Sequence, residues 1–295
     1  MKANPVFRAS PLVAAMIVLL ASCTSDALVP SPSAAPLDSA FMVTHASATL
    51  AGVPPEWVST AKKTLTIAYG HTSHGSQIPS GMTGLAAFRG NLYAWNGTGA
   101  DTALRLRDMP FSGASDLGNP DRSAWATATR TYLATHPEVN VVIWSWCGQV
   151  SSATQSDIEL YLSLMSGLER DFPTVRFVYM TGHLDGTGVN GNLHVRNEQI
   201  RRFCRENKKI LYDFADIESH DPDGTAFLAR MANDNCDYDG NGDGSLESNW
   251  ATQWQNAHPG MWYSCSAAHS QPLNGNLKAY AAWNLWARLA GWPGR

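Results

Sequence analysis

Between residues 64 and 214 the chain alternates short apolar or β-branched runs with stretches of helical period, and that alternation leaves few folds open. Residues 64–69, 139–146, 175–180 and 210–214 read as strands, and 104–108 alternates like a shorter one. Residues 78–88, 122–134, 156–169 and 197–206 read as helices; in the third, Ile158, Leu162, Met165 and Leu168 share one face. A final helix over 277–289 carries Tyr280, Trp283, Leu285 and Trp286. Strands and helices that alternate through short connections build parallel βαβ units. The expected fold is therefore α/β, a three-layer α/β/α sandwich around a central parallel sheet of flavodoxin-like type. Residues 219–270 break the rhythm: they are polar and rich in Asp and Gly, and they read as an insertion before the last helix that could wall a site. No repeat of solenoid period is present.

The first forty residues carry a different signal. Lys2 and Arg8 precede an apolar stretch, 11–21, that is too short to cross a bilayer as a mature helix. Leu20, Ala21, Ser22 and Cys23 resemble the lipobox of bacterial lipoproteins. That resemblance implies a signal peptide over 1–22, cleavage before Cys23, and acylation of Cys23; a buried or disulfide-bonded Cys23 is the plainer alternative. Residues 23–40, rich in Ser, Ala and Pro, read as a flexible tether. The expected location is the outer membrane or cell surface of a bacterium, with the lipid anchor as the only membrane contact. About 260 residues remain beyond the tether, enough for one large domain, 41–295.

Charge and composition narrow the partners. Twenty-one basic and 25 acidic residues give a formal charge of −4 with no basic stripe, which argues against nucleic acid. Eleven tryptophans either pack a core or line a sugar-binding groove. With Cys23 set aside, Cys147, Cys204, Cys236 and Cys265 remain, an even number that allows disulfides in an oxidising compartment. Zinc is disfavoured because no two have C-x-x-C spacing. Cys236 and Cys265 form the expected bridge, since both lie in the polar insertion.

The strand at 64–69 runs straight into Gly70, His71, Thr72, Ser73, His74, Gly75 and Ser76, a turn dense in hydroxyls and imidazoles. In open α/β sheets, ligands bind at the carboxyl edge of the strands. A serine there, met by a histidine from elsewhere, is the usual arrangement for nucleophilic hydrolysis. Ser73 is the expected nucleophile and Ser76 the alternative; either Thr72 or Ser73 could instead simply cap the following helix, whose first N–H groups would still bind an anion.

These blocks resemble the SGNH/GDSL hydrolase superfamily, in which a serine follows the first strand, a glycine the second and an asparagine the third, with a histidine before the last helix. Here Ser73 stands in the first block, Gly113 in the second, Gln149 in the third, and His269 ahead of the final helix. The resemblance implies an esterase: His269 as base, with the Ser73 and Gly113 backbone and the Gln149 side chain holding the oxyanion. Two positions depart from the pattern. Gln149 replaces asparagine and is one methylene longer. Ser266 stands where an aspartate would steady the imidazolium, so the acid must come from elsewhere, with Asp185 and Asp213 at strand ends, or be absent.

Two further constellations compete. His71, His74, His183, His194, His258 and His269 could converge with Asp185 on a metal, making a metal-dependent hydrolase or lyase. More mildly, His71, His74, His183 and Asp185 would bind substrate. In the insertion, Asp237, Asp239, Asn241 and Asp243, followed by Gly244, match the start of a calcium loop, although Trp250 occupies the twelfth position. Calcium there would be structural, with no cofactor required for catalysis. The expected activity is hydrolysis of a small ester or of an acyl group on an extracellular polysaccharide. A glycan-binding lipoprotein without catalysis is the third possibility.

Overall fold

The computed structural model describes residues 1–3 and 40–294, and all its elements belong to one compact unit. Cys23, the expected signal peptide beyond residue 3, and the expected tether up to residue 39 lie outside the described residues. In chain order the elements are β1 (Phe41–Val43), α1 (Pro55–Thr64), β2 (Thr66–Gly70), α2 (Gln77–Arg89), β3 (Trp95–Asn96), β4 (Leu104–Asp108), α3 (Ala124–Leu133), β5 (Val141–Trp144), α4 (Gln155–Asp171), β6 (Arg176–Met180), α5 (Asn192–Glu206), β7 (Ile210–Tyr212), α6 (Phe214–Glu218), β8 (Asp237–Tyr238), β9 (Ser248–Asn249), α7 (Trp250–Ala257) and α8 (Pro272–Leu289). No described helix is long and apolar enough to cross a membrane.

Seven strands form one sheet in the order β1-β7-β6-β5-β2-β4-β3, and every pairing is parallel. Successive strand side chains point to opposite faces. Ile67, Tyr69, Val141, Ile143, Val178 and Met180 therefore face one core, under α1, α2, α6, α7 and α8. Ala68, Val142, Trp144, Phe177 and Tyr179 face the other, under α3, α4 and α5. This is the three-layer α/β/α sandwich. A sheet covered on both faces explains why its central strands are continuous apolar runs.

Local chemistry sets the helix ends. α4 begins at a capping box in which Thr154 accepts the Asp157 N–H and the Asp157 carboxylate accepts the Thr154 N–H. α8 starts with Pro272 in its first turn, earlier than the apolar period alone indicates, and α5 starts at Asn192, ahead of the expected 197. Eight of the eleven tryptophans are buried, so core packing accounts for most of them. The 219–270 insertion is not loop throughout: it holds the β8–β9 hairpin and α7, whose Trp250 and Trp254 pack into the larger core.

The topology also places the site. β2 and β5 are neighbours, but from β2 the chain moves toward β3 and β4, and from β5 it moves toward β6. Their carboxyl ends thus flank the point where the strand order reverses, the crevice in which such sheets bind ligands.

Candidate functional site

The turn after β2 and the turn after β5 meet at this crevice, and glycine lets them come close. A Cβ on Gly70 would lie 2.3 Å from the Trp144 ring, and one on Gly75 would lie 2.1 Å from Ser145 Oγ. Between them, Ser73–Ser76 form a single 3₁₀ turn that leads into α2. Ser73 sits there at φ +30°, a left-handed conformation unusual for a residue with a side chain. Its hydroxyl makes no hydrogen bond among the described residues. The Ser76 hydroxyl, by contrast, donates to Ser73 O at 2.6 Å, so the alternative nucleophile is engaged in closing the turn.

Three imidazoles from three loops form a stack whose middle ring is His74, the residue after Ser73. His74 lies 3.5 Å from His183, centroid to centroid and nearly parallel, and 4.5 Å from His269 on its other side. His74 Nε2 donates to Asp234 Oδ2 at 2.8 Å, which fixes the tautomer because a carboxylate only accepts. The lone pair on His74 Nδ1 then faces Cys147 Sγ at 3.7 Å. His183 Nδ1 donates to Leu184 O at 2.7 Å, leaving its buried Nε2 without a partner. Burial pushes the His183 imidazole below its ordinary pKa, and His74 adds to this against the opposing charge of Glu218. Burial alone would raise Asp234, but the His74 hydrogen bond and both imidazoles outweigh it and hold the carboxyl below its usual value. His269 is exposed, makes no hydrogen bond among the described residues, and sits at φ +62°.

A carboxylate does stand at the histidine stack, but it is Asp234, bound to His74 and not to His269. Asp234 lies in the polar insertion between two asparagines, and nothing in its sequence context marks it as functional. The two aspartates considered from strand position are engaged elsewhere. Asp213 is clamped by Arg201 at 2.6 and 2.7 Å, and Asp185 closes a turn by accepting from the Thr187 hydroxyl and N–H.

The other expected residues divide. Gly113, at φ +93°, is exposed, with open space where a side chain would stand. Gln149 is engaged at both ends of its amide: Nε2 donates to the buried Asp116 at 3.0 Å, and Oε1 accepts the Cys147 N–H at 2.9 Å. Asp116 also accepts from the Thr72 hydroxyl at 2.6 Å. Gln149 therefore braces the turns after β2 and β5 where an oxyanion donor was expected. His71 donates from Nε2 to Asp108 at 2.7 Å, on the side of β2 that faces β4. His258 stacks on Trp254, and His194 lines a small crevice with Asp185 and Arg201.

The six histidines and Asp185 do not converge as one metal set. His74, His183 and Asp234 are the group whose ligand atoms come within 4.8 Å of one another. Their direction is unfavourable, because an ion in the plane of one stacked ring lies off the plane of the other. The same holds for His45 and His220, stacked 3.6 Å apart beside Asp216.

The acidic loop departs from expectation at one ligand. Asp239, Asp243 and Glu247 bring oxygens within 4.8 Å of one another. Asp237 instead accepts from the Asn235 and Asn249 side-chain amides, beside the β8–β9 pairing. Asn241 hydrogen-bonds Asp243, and Asp239 accepts the N–H groups of Gly242 and Gly244, so protein hydrogen bonds also tie the loop together. The Cys236–Cys265 bridge is not formed; the four described cysteines are free. The Cys236 sulfur rests on the Ser270 hydroxyl, and Cys265 on Asn276 and Pro272 O, with burial pushing the two thiols up to about 12 and about 11.

No protein-family model matches the chain, and no curated protein matches it in sequence.

Proposed function

We propose that the cleft hydrolyses a small acyl ester, with Ser73 as nucleophile and His269 as base. The observation that carries this is the state of those two residues at the reversal point of the sheet. Neither side chain makes a hydrogen bond among the described residues, both backbones are held in the left-handed region, and both adjoin His74, Ser73 in sequence and His269 by ring stacking. Strain kept at a sharp turn after a central strand is characteristic of exposed nucleophiles.

In the first step the Ser73 Oγ–H proton passes to His269 as Oγ attacks the ester carbonyl. The developing oxyanion is held by the Ser73 and Gly113 N–H groups. The C–O bond then breaks, and the alcohol leaves with the proton from His269. Water repeats the sequence on the acyl-serine and frees the acid. An imidazolium at His269 is stacked on His74, whose own proton is held by Asp234, so the carboxylate acts across one ring and not by direct contact. Aromatic stacking on a sugar contributes little to this reading, because most of the tryptophans are in the core. The bacterial surface location rests on the lipobox resemblance alone.

The test is turnover of p-nitrophenyl acetate by the full chain. Ser73→Ala and His269→Asn are each expected to lower it by about 100-fold or more, and EDTA to leave it unchanged. Turnover that survives Ser73→Ala would overturn the assignment. Turnover abolished by EDTA would favour the histidine cluster as a metal site, and a fully folded chain with none would favour binding alone.

A further inference from the structure

Cys147 carries a second chemistry in the same crevice. It lies three residues past the end of β5, is half-buried, and presents Sγ to His74 Nδ1 at 3.7 Å. That nitrogen holds the ring's lone pair, because Nε2 is committed to Asp234. A nucleophile, an imidazole that can take its proton, and a carboxylate that orients the imidazole are together the pattern of an activated side chain. A second, independent feature points to a ligand here. His183 is only 8% exposed, its Nε2 has no partner, and its other nitrogen already donates to Leu184 O. The vacant atom is therefore a buried acceptor. It is turned toward the residue after Cys147: a Cβ on Gly148 would stand 3.8 Å from it. A buried acceptor left empty is unfavourable, and a bound molecule with a hydroxyl or N–H group would recover that cost.

We infer that Cys147, His74 and Asp234 form a thiol nucleophile that accepts acyl groups from activated carbonyl compounds, with His183 Nε2 receiving a hydrogen bond from the bound molecule. In the step proposed, the Cys147 S–H proton moves to His74 Nδ1 and sulfur bonds to the carbonyl carbon. The carbon–oxygen bond to the leaving alcohol breaks, and that alcohol departs with the proton from His74. The product is an S-acyl thioester on Cys147. Asp234 is a positioning residue in this step, since it acts only through His74.

Cys265 is the internal control. It is half-buried like Cys147 but has no imidazole on its sulfur, and burial holds its thiol up to about 11. The experiment treats the full chain with iodoacetamide at pH 7 and follows each cysteine by peptide mass spectrometry. Cys147 is expected to react at least about tenfold faster than Cys265, since an imidazole beside its sulfur can take the proton and Cys265 has none there. Asp234→Asn, checked for folding by circular dichroism, is expected to slow Cys147 several-fold and leave Cys265 unchanged. If Cys147 in the wild-type chain reacts no faster than Cys265, the inference is overturned, whatever the variant does. Equal Cys147 rates in wild type and a folded Asp234→Asn would also overturn it. Labelling reads Cys147 whether or not Ser73 is active, so failure of the serine assignment shows separately, in ester turnover.

Discussion

At the scale of single residues, burial of one imidazole of the site couples stability to pH. His183 is buried between the His74 ring and the Gly148 backbone, and its folded pKa is depressed below the ordinary 6.5. A depressed histidine binds fewer protons folded than unfolded, so its contribution to stability is complete above 6.5 and is lost as pH falls below that value. Asp234, also depressed, acts in the same direction at lower pH: its contribution is present above the usual aspartate range and lost as pH falls through the folded value. Urea midpoints are therefore expected to drop between pH 7.5 and pH 5, and His183→Gln to flatten that slope. An equally steep slope in the variant would assign it to other groups. At this scale the positions of Ser73, His74, His183 and His269, after strands and before the final helix, were legible in the sequence because strand ends and the start of that helix are visible as patterns. The contact of Asp234 with His74 was not legible, because it is made by a loop far along the chain.

At the scale of elements, periodicity located what is buried on a regular lattice and missed what is short or irregular. β2, β5, β6 and α4 follow their apolar patterns closely. The edge strands β1 and β3 are only three and two residues long, which is too little for alternation to register. α7 was hidden in a segment whose composition is that of a loop, although Trp250 and Trp254 anchor it in the core. The cysteines show a similar limit. An even number in one stretch gave a plausible bridge, but the fold places the Cys236 and Cys265 sulfurs against different partners. Gln149 illustrates the converse: its position after β5 was correctly read, while the Asp116 carboxylate that engages its amide was not.

At the scale of the whole molecule, a buried polar cluster ties the three loops of the site to one another. Lys278 of α8 and Glu218 of α6 are fully buried and paired at 2.7 Å, with Lys278 also bonded to Gln77 and set over the Phe214 ring. Gln77 follows the Ser73 turn and holds Ala268 O, next to His269, while Glu218 accepts the N–H of Leu184, next to His183. Burial lowers the Lys278 pKa and Glu218 opposes that, so removing one partner strands the other in a dry interior. Lys278→Met is expected to cost about 3–5 kcal/mol in urea unfolding, and combining it with Glu218→Gln to recover part of the loss. A cost below about 1 kcal/mol would show that the pair does not hold these loops. The central claim, that Ser73 is the nucleophile of this cleft, is tested most directly by a fluorophosphonate probe on the full chain, with the modified residue located by peptide mass spectrometry. The account predicts one covalent adduct, on Ser73, and its disappearance in His269→Asn. An adduct on another serine, or ester turnover by a chain that takes up no probe, would contradict it.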